Sequence, residues 1–201
     1  MVADILRQSG EYELVGFLDD VDVQRQGAPL YGSTILGGRE TFPLLRAASV
    51  EHIFVAVGGC ADRLRMAQIA IDAGFRLATL IHPRAVVAAD CKIGDGSVIA
   101  ANAVLNPGTI CGECVIVNTS SSIDHDCHVG DGAHVGPGAC LGGFVSIGPA
   151  AWIGIGAVIR DHLSIGEMAV IGAGSVVVRD VPAGVVVYGV PARIIRSVVT
   201  T

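Results

Sequence analysis

The sequence predicts an α/β unit followed by an all-β parallel β-helix, on three observations. Residues 81–182 repeat every six residues without insertion or deletion, and an aliphatic residue opens nearly every hexad. Residues 1–80 lack that period and alternate strand-like with helix-like segments. No helix has a period of six, and no single strand stays extended over such a length. Hexads of this kind stack into a solenoid because none can bury its apolar residue alone.

Within residues 1–80, Val2 to Gln8 has helical character and is closed by Ser9-Gly10. Tyr12 to Leu18 is an apolar run ending in Asp19-Asp20, a strand and then a turn. Arg39 to Ala48 looks helical, and His52 to Val57 reads as a buried strand running into Gly58-Gly59. A helix from about Ala61 to Ala73 places Leu64, Ala67, Gln68 and Ile71 on one mostly apolar face, and Arg76 to Ile81 is a further strand. Strand and helix alternating, with glycines after a strand, indicate a parallel, Rossmann-like sheet. The first strand and Gly-rich turn of such a unit are missing before Val2. The favoured expectation is a start codon assigned too late; a shortened chain or a domain that manages without that strand are the alternatives. That strand is ordinarily central, so its loss would leave two neighbours unpaired.

The seventeen hexads open on Ile81, Val87, Ile93, Ile99, Leu105, Val117, Ile123, Val129, Val135, Leu141, Ile147, Ile153, Ile159, Ile165, Ile171 and Val177, with Cys111 the exception. Four residues later comes a small residue, such as Ser97, Ala103, Thr109, Ala139 or Ala157. Each hexad makes one short strand and a corner, and three close an eighteen-residue triangular coil with the opener on its axis. Between five and six coils at the spacing of paired strands make a prism about 27 Å long. Residues eighteen apart therefore stack, which turns the sequence into a map.

Composition narrows the function. The chain of 201 residues is 51% apolar and can bury a real core. A net charge of −6 argues against nucleic acid, which calls for clustered Lys and Arg. No apolar run is long enough to span a bilayer and no charged-then-apolar leader is present, so no membrane partner is expected and the chain reads as soluble and cytoplasmic. Cys91 and Cys127 fall on the small inward position and Cys111 on the opener, where a thiol acts as a compact hydrophobe. Cys111-x-x-Cys114 is half a zinc site without its other half, so no metal is expected.

One stretch departs from the bland hexad, from Asn118 to His134 (NTSSSIDHDCHVGDGAH). His125 and Asp126 lie at outward positions of one corner. An imidazole titrates near neutrality, and an adjacent carboxylate fixes its tautomer and raises its basicity, which is the apparatus of a general base. An isolated His-Asp pair is more often two solvated corner residues, but the stacking map adds to this one. Gly143 lies one coil above His125, where its N–H could meet a carbonyl oxygen that turns negative during acyl transfer. Ile155 and Ala173, also eighteen apart, form a small apolar column along which a slender ligand could lie.

These hexads resemble the acyltransferases of the left-handed β-helix superfamily. The α/β portion, the segment from Asn118 to Gly143 with its H-D-x-x-x-x-G-D-x-x-H pattern, and the tail Tyr188-Gly189-Val190-Pro191-Ala192-Arg193 narrow the resemblance to one branch. That branch is the NeuD/PglD-like family of sialic-acid O-acetyltransferases and nucleotide-amino-sugar N-acetyltransferases. It implies two domains, 1–80 for nucleotide-sugar binding and 81–201 for acyl transfer, and a homotrimer with coenzyme A between prisms. It makes His125 the base and Asp126 its partner. His134, Gly143, Ile155 and Ala173 match positions that contact acetyl-CoA, the last through backbone because glycine is the familiar residue there. Asp19, Asp20 and Gly58 match positions that bind the nucleotide-linked amino sugar, Asn118 is a polar candidate at the site, and Arg193 could meet a phosphate.

The expected reaction is acetyl transfer from acetyl-CoA to the amine of that sugar, with O-acetylation of a sialic acid or other sugar hydroxyl as the nearest alternative. A zinc enzyme of the carbonic-anhydrase type would need three converging imidazoles, whereas His125, His128 and His134 lie on different corners or faces. A non-catalytic paralogue is the remaining rival.

Overall fold

The structure, a computed structural model, describes residues 1–198. The hexads form a triangular prism in which the strands from Leu80–Ile81 to Val176–Val177 pair residues eighteen apart: Val86↔Val104↔Ser122 on one face, Lys92↔Ile110↔His128 on the next, Val98↔Ile116↔His134 on the third. Each strand is two residues long, one facing out and the opener facing in. From Ile99 onward every opener is at most 3% exposed, and the small residues Ala103, Ala133, Ala139, Ala157 and Ala169 are fully buried beside them. Thr109 and Ser121, also inside, donate their hydroxyls to the carbonyls of Asp124 and Asn118, so no hydroxyl is left unpaired there.

We call the three faces first, second and third in chain order, starting with the strands Leu80–Ile81, Val86–Val87 and Lys92–Ile93. The first face is closed by an antiparallel hairpin, Val185–Gly189 with Ala192–Ser197, whose first strand pairs with Val170–Ile171. That hairpin carries the Tyr188 to Arg193 tail.

The N-terminal unit lies against the first face. Helix α1 (Val2–Ser9) sets Ile5 and Leu6 on Leu80, Val98 and Ile116, and Gly10 in left-handed conformation ends it. Strand β1 (Phe17–Leu18) pairs in parallel with β3 (Ser33–Gly37), which also pairs antiparallel with β2 (Pro29–Leu30). Helix α2 (Phe42–Ala47) follows a 3-10 turn at Arg39–Thr41, with Pro43 in its first turn, where a missing N–H costs nothing. Strand β4 (His52–Ile53) leads through Gly58-Gly59 into helix α3 (Cys60–Asp72), and β4 pairs in parallel with β5 (Arg76–Leu77).

Several strands are shorter than the sequence suggests. Of the run from Tyr12 to Leu18 only Phe17–Leu18 is paired, and of His52 to Val57 only His52–Ile53. The expected strand from Arg76 to Ile81 divides into β5 and the first prism strand, Leu80–Ile81, so the chain changes sheet there. Apolar character marks these segments, but a strand also needs a neighbour to pair with. Here β1 and β4 sit in two separate sheets. Between Tyr12–Leu18 and His52–Val57 lies an apolar cleft of 310 Å³, floored by Val2 and Leu6.

Candidate active site

The corners joining the second face to the third hold the first cluster. His125 Nδ1 lies 2.9 Å from Asp126 Oδ2, and both side chains are half exposed, at 50% and 51%. With Nδ1–H donating to the carboxylate, the lone pair is on Nε2. Asp124 secures the backbone: its Oδ1 accepts from the His125 N–H at 2.8 Å and from Asn106 Nδ2, one coil below, at 2.9 Å. The His125 amide is the main reason that the Asp124 carboxyl is held below its ordinary value. Asp126 has a left-handed backbone (φ +56), and Gly108 below it leaves room for its carboxylate.

Gly143 sits above the imidazole, as the eighteen-residue spacing requires. A β-carbon added there would come within 2.8 Å of His125 Nε2, so this position tolerates only glycine beside an undisturbed ring. Gly143 is buried against that ring, and its N–H donates to no acceptor among the described residues. The imidazole pKa is raised above its ordinary value, chiefly by the hydrogen bond to Asp126 and further by the charges of Asp124 and Asp126. A cavity of 520 Å³ opens here, bounded by His125, Gly143, Cys140, Phe144, Arg160 and His162.

Ile155 and Ala173 occupy the neighbouring corner, between the first and second faces. Both are exposed, Ile155 at 63%, and neither N–H has an acceptor among the described residues. The second face, with Cys140 and Val158 exposed, lies between this column and the His125 corner.

His134 is elsewhere. It points outward from the first face, is only 8% exposed, and packs against Trp152 one coil above, with ring centroids 4.2 Å apart. Asn118 Nδ2 lies 3.3 Å from its Nε2, leaving a proton for Nδ1, which is buried without a partner among the described residues. Burial, then the nearby Arg63 cation, pulls its pKa down to about 4.

The other three predicted residues belong to the N-terminal unit. Asp19 and Asp20 follow β1. Asp19 accepts from the Val21 and Asp22 amides and from Arg25, and Asp20 accepts from the Arg39 amide and guanidinium. Gly58 precedes α3, with open space where a β-carbon would be. Its carbonyl accepts from Arg63, a fully buried arginine that also donates to the carbonyls of Val57, Cys114 and Gly132. This arginine, which the periodicity of α3 did not single out, joins the Gly58 turn to two coils of the prism.

Among the described residues no group of three or more metal-binding side chains converges, and no helix is long and apolar enough to cross a membrane. Burial pushes the Cys111 thiol up to about 12 and Cys114 to about 11, so both stay protonated.

A hexapeptide prism with an α/β unit on one face, and an exposed His-Asp pair at a corner, defines a hexapeptide-repeat transferase. The family model for bacterial transferase hexapeptide repeats matches residues 78–107, and that for the PglD N-terminal domain matches residues 1–70. The chain belongs to the PglD-like family of left-handed β-helix acyltransferases. It is 36% identical to PerB from Caulobacter crescentus, solved with CoA and GDP-perosamine, over 96% of this chain and 90% of that one, with a TM-score of 0.90. The acetyltransferase domain of PglB from Neisseria gonorrhoeae FA1090, also solved with acetyl coenzyme A, is 38% identical over 96% and 92% of the two chains, with a TM-score of 0.87. The GDP-perosamine N-acetyltransferase of Escherichia coli O157:H7 is 35% identical over 138 residues, which are 68% of this chain and 59% of that enzyme.

Proposed function

We propose that this protein transfers the acetyl group of acetyl-CoA to the amine of a nucleotide-linked amino sugar. The observation that carries the reading is the His125–Asp126 pair beneath Gly143, beside a cavity, in a chain similar to a protein solved with CoA and GDP-perosamine. His125 Nε2 takes the proton of the attacking amine, and Asp126 stabilises the resulting imidazolium. The Gly143 N–H is suited to the oxyanion of the tetrahedral intermediate, and coenzyme A leaves as thiol or thiolate. Holding an amine against a thioester gains most from positioning, so no covalent enzyme intermediate is needed.

The residues fit acetyl-CoA as the acyl donor. Among the described residues, Ile155 and Ala173 offer backbone N–H groups without an acceptor along an exposed apolar column, and His134 offers a buried Nδ1 without a partner. Residues 1–80 would serve the nucleotide-sugar, with Gly58 giving backbone access and Asp19 and Asp20 sharing their carboxylates between Arg25, Arg39 and the ligand. Residues 81–201 would serve acyl transfer. A homotrimer is supported by the aliphatic second face, where Val86 and Val158 are exposed.

His125→Ala should lower turnover by about 10²–10⁴ if it is the general base. Turnover within about tenfold of the parent would remove that role. O-acetylation of a sugar hydroxyl uses the same residues and is the second reading. Assay of a panel of nucleotide 4-amino-sugars beside free sialic acid separates the two.

A further inference from the structure

Phe144 breaks the pattern of its own column. In four successive corners here the third residue has a left-handed backbone: Gly108 (φ +77), Asp126 (φ +56), Phe144 (φ +58) and His162 (φ +56). That conformation disfavours a bulky side chain, and Phe144 is 49% exposed, so neither backbone preference nor burial selects an aromatic residue. Its ring is engaged sideways instead. It meets His125 edge to face, with centroids 5.1 Å apart and planes at 87°, and stacks on His162 at 4.7 Å with planes at 9°. All three rings line the same cavity.

The half-exposed imidazole has one directional tie, the hydrogen bond from Nδ1 to a carboxylate that is itself half exposed. Such a bond fixes one atom, whereas the ring's own torsion is broad. A perpendicular aromatic contact adds the constraint that is missing, because aromatic pairs favour defined offset or edge-to-face arrangements. Resting on the reading of His125 as the base, the geometry points to Phe144, braced by His162, as a positioning residue that fixes the plane of the His125 ring. Nε2 is thereby kept against Gly143, and Phe144 takes no part in the proton transfer.

The test compares Phe144→Leu, Phe144→Tyr and His162→Ala with the parent and with His125→Ala. The readouts are kcat, both KM values, and the NMR signal of the His125 Cε1–H. Phe144→Leu should lower kcat by about tenfold or more, with both KM values held within about twofold. Phe144→Tyr should restore most of kcat, His162→Ala should fall between, and the His125 signal should move when the aromatic ring is lost. Should Phe144→Leu misfold by circular dichroism, Phe144→Met takes its place under the same criteria.

A Leu variant with kcat within about twofold and an unmoved His125 signal overturns the inference. So does a rise in one substrate's KM with kcat and the signal unchanged, which would make Phe144 a substrate contact. If His125→Ala retains activity, the base reading fails by itself, since the NMR signal reports the contact between the rings independently of turnover.

Discussion

At the scale of single residues, the candidate site combines neighbours within one corner with a glycine one coil above. Asp126 ties Nδ1 of His125, Asp124 ties its amide, and Gly143 leaves space over Nε2. Asp126→Asn removes the leading cause of the raised imidazole pKa. In the proposed role His125 must be neutral to act, so activity would fall as pH drops through that pKa. The acidic limb of the kcat/KM profile should therefore shift to lower pH in Asp126→Asn, together with a loss in rate; an unmoved limb would show that another group titrates. Gly143→Ala should fold normally yet lose most turnover, because its β-carbon would displace the ring. A melting temperature like the parent's alongside lost turnover is the expected pair of measurements. His125, Asp126 and Gly143 were legible in the sequence because the repeat has no insertions, so counting eighteen gives true neighbours. Phe144 and His162 obey the same count, but a hexad pattern says nothing about which way two rings turn. Their contact required coordinates.

At the scale of elements, the prism strands were all legible because each hexad repeats the same burial. The N-terminal strands were legible only as apolar runs, since pairing partners are remote in sequence and decide where a strand ends. Helix α3 carries a buried polar tie between the two parts. Arg63 spends its donors on the carbonyls of Val57, Gly58, Cys114 and Gly132 and is wholly buried. Arg63→Met would leave several buried carbonyls unpaired and should destabilise the protein by roughly 3 kcal/mol, read from denaturant unfolding. No measurable loss would mean that the Gly58 turn is held by other contacts. His134 provides an independent check on the packing of α3 against the first face. Its folded pKa of about 4 lies below the ordinary 6.5, so the unfolded chain takes the proton first. Its contribution is complete above about 6.5 and is lost as pH falls toward about 4. Thermal melts of His134→Asn should show a weaker dependence on pH across that window than the parent.

At the scale of the whole molecule, one face of the prism is covered by the N-terminal unit and the second face is left with an aliphatic, partly exposed strand row bordered by the two corners of interest. Sedimentation should give a mass of three chains if that face joins copies, and a single-chain mass would require the site to be complete within one prism. The family was legible because the hexads and the Asn118 to Gly143 segment are both present in one chain. The sugar was not, since its recognition depends on how side chains and backbone are arranged around a ligand, and period and spacing carry no such detail.

The most direct test of the central claim is release of coenzyme A from acetyl-CoA in the presence of a nucleotide-linked 4-amino-sugar, with mass spectrometry of the product, for the parent and for His125→Ala. The account predicts saturable formation of the N-acetylated sugar nucleotide by the parent and its near-complete loss in the variant. Acetylation of free sialic acid with no nucleotide amino sugar accepted, or equal turnover by His125→Ala, would contradict it.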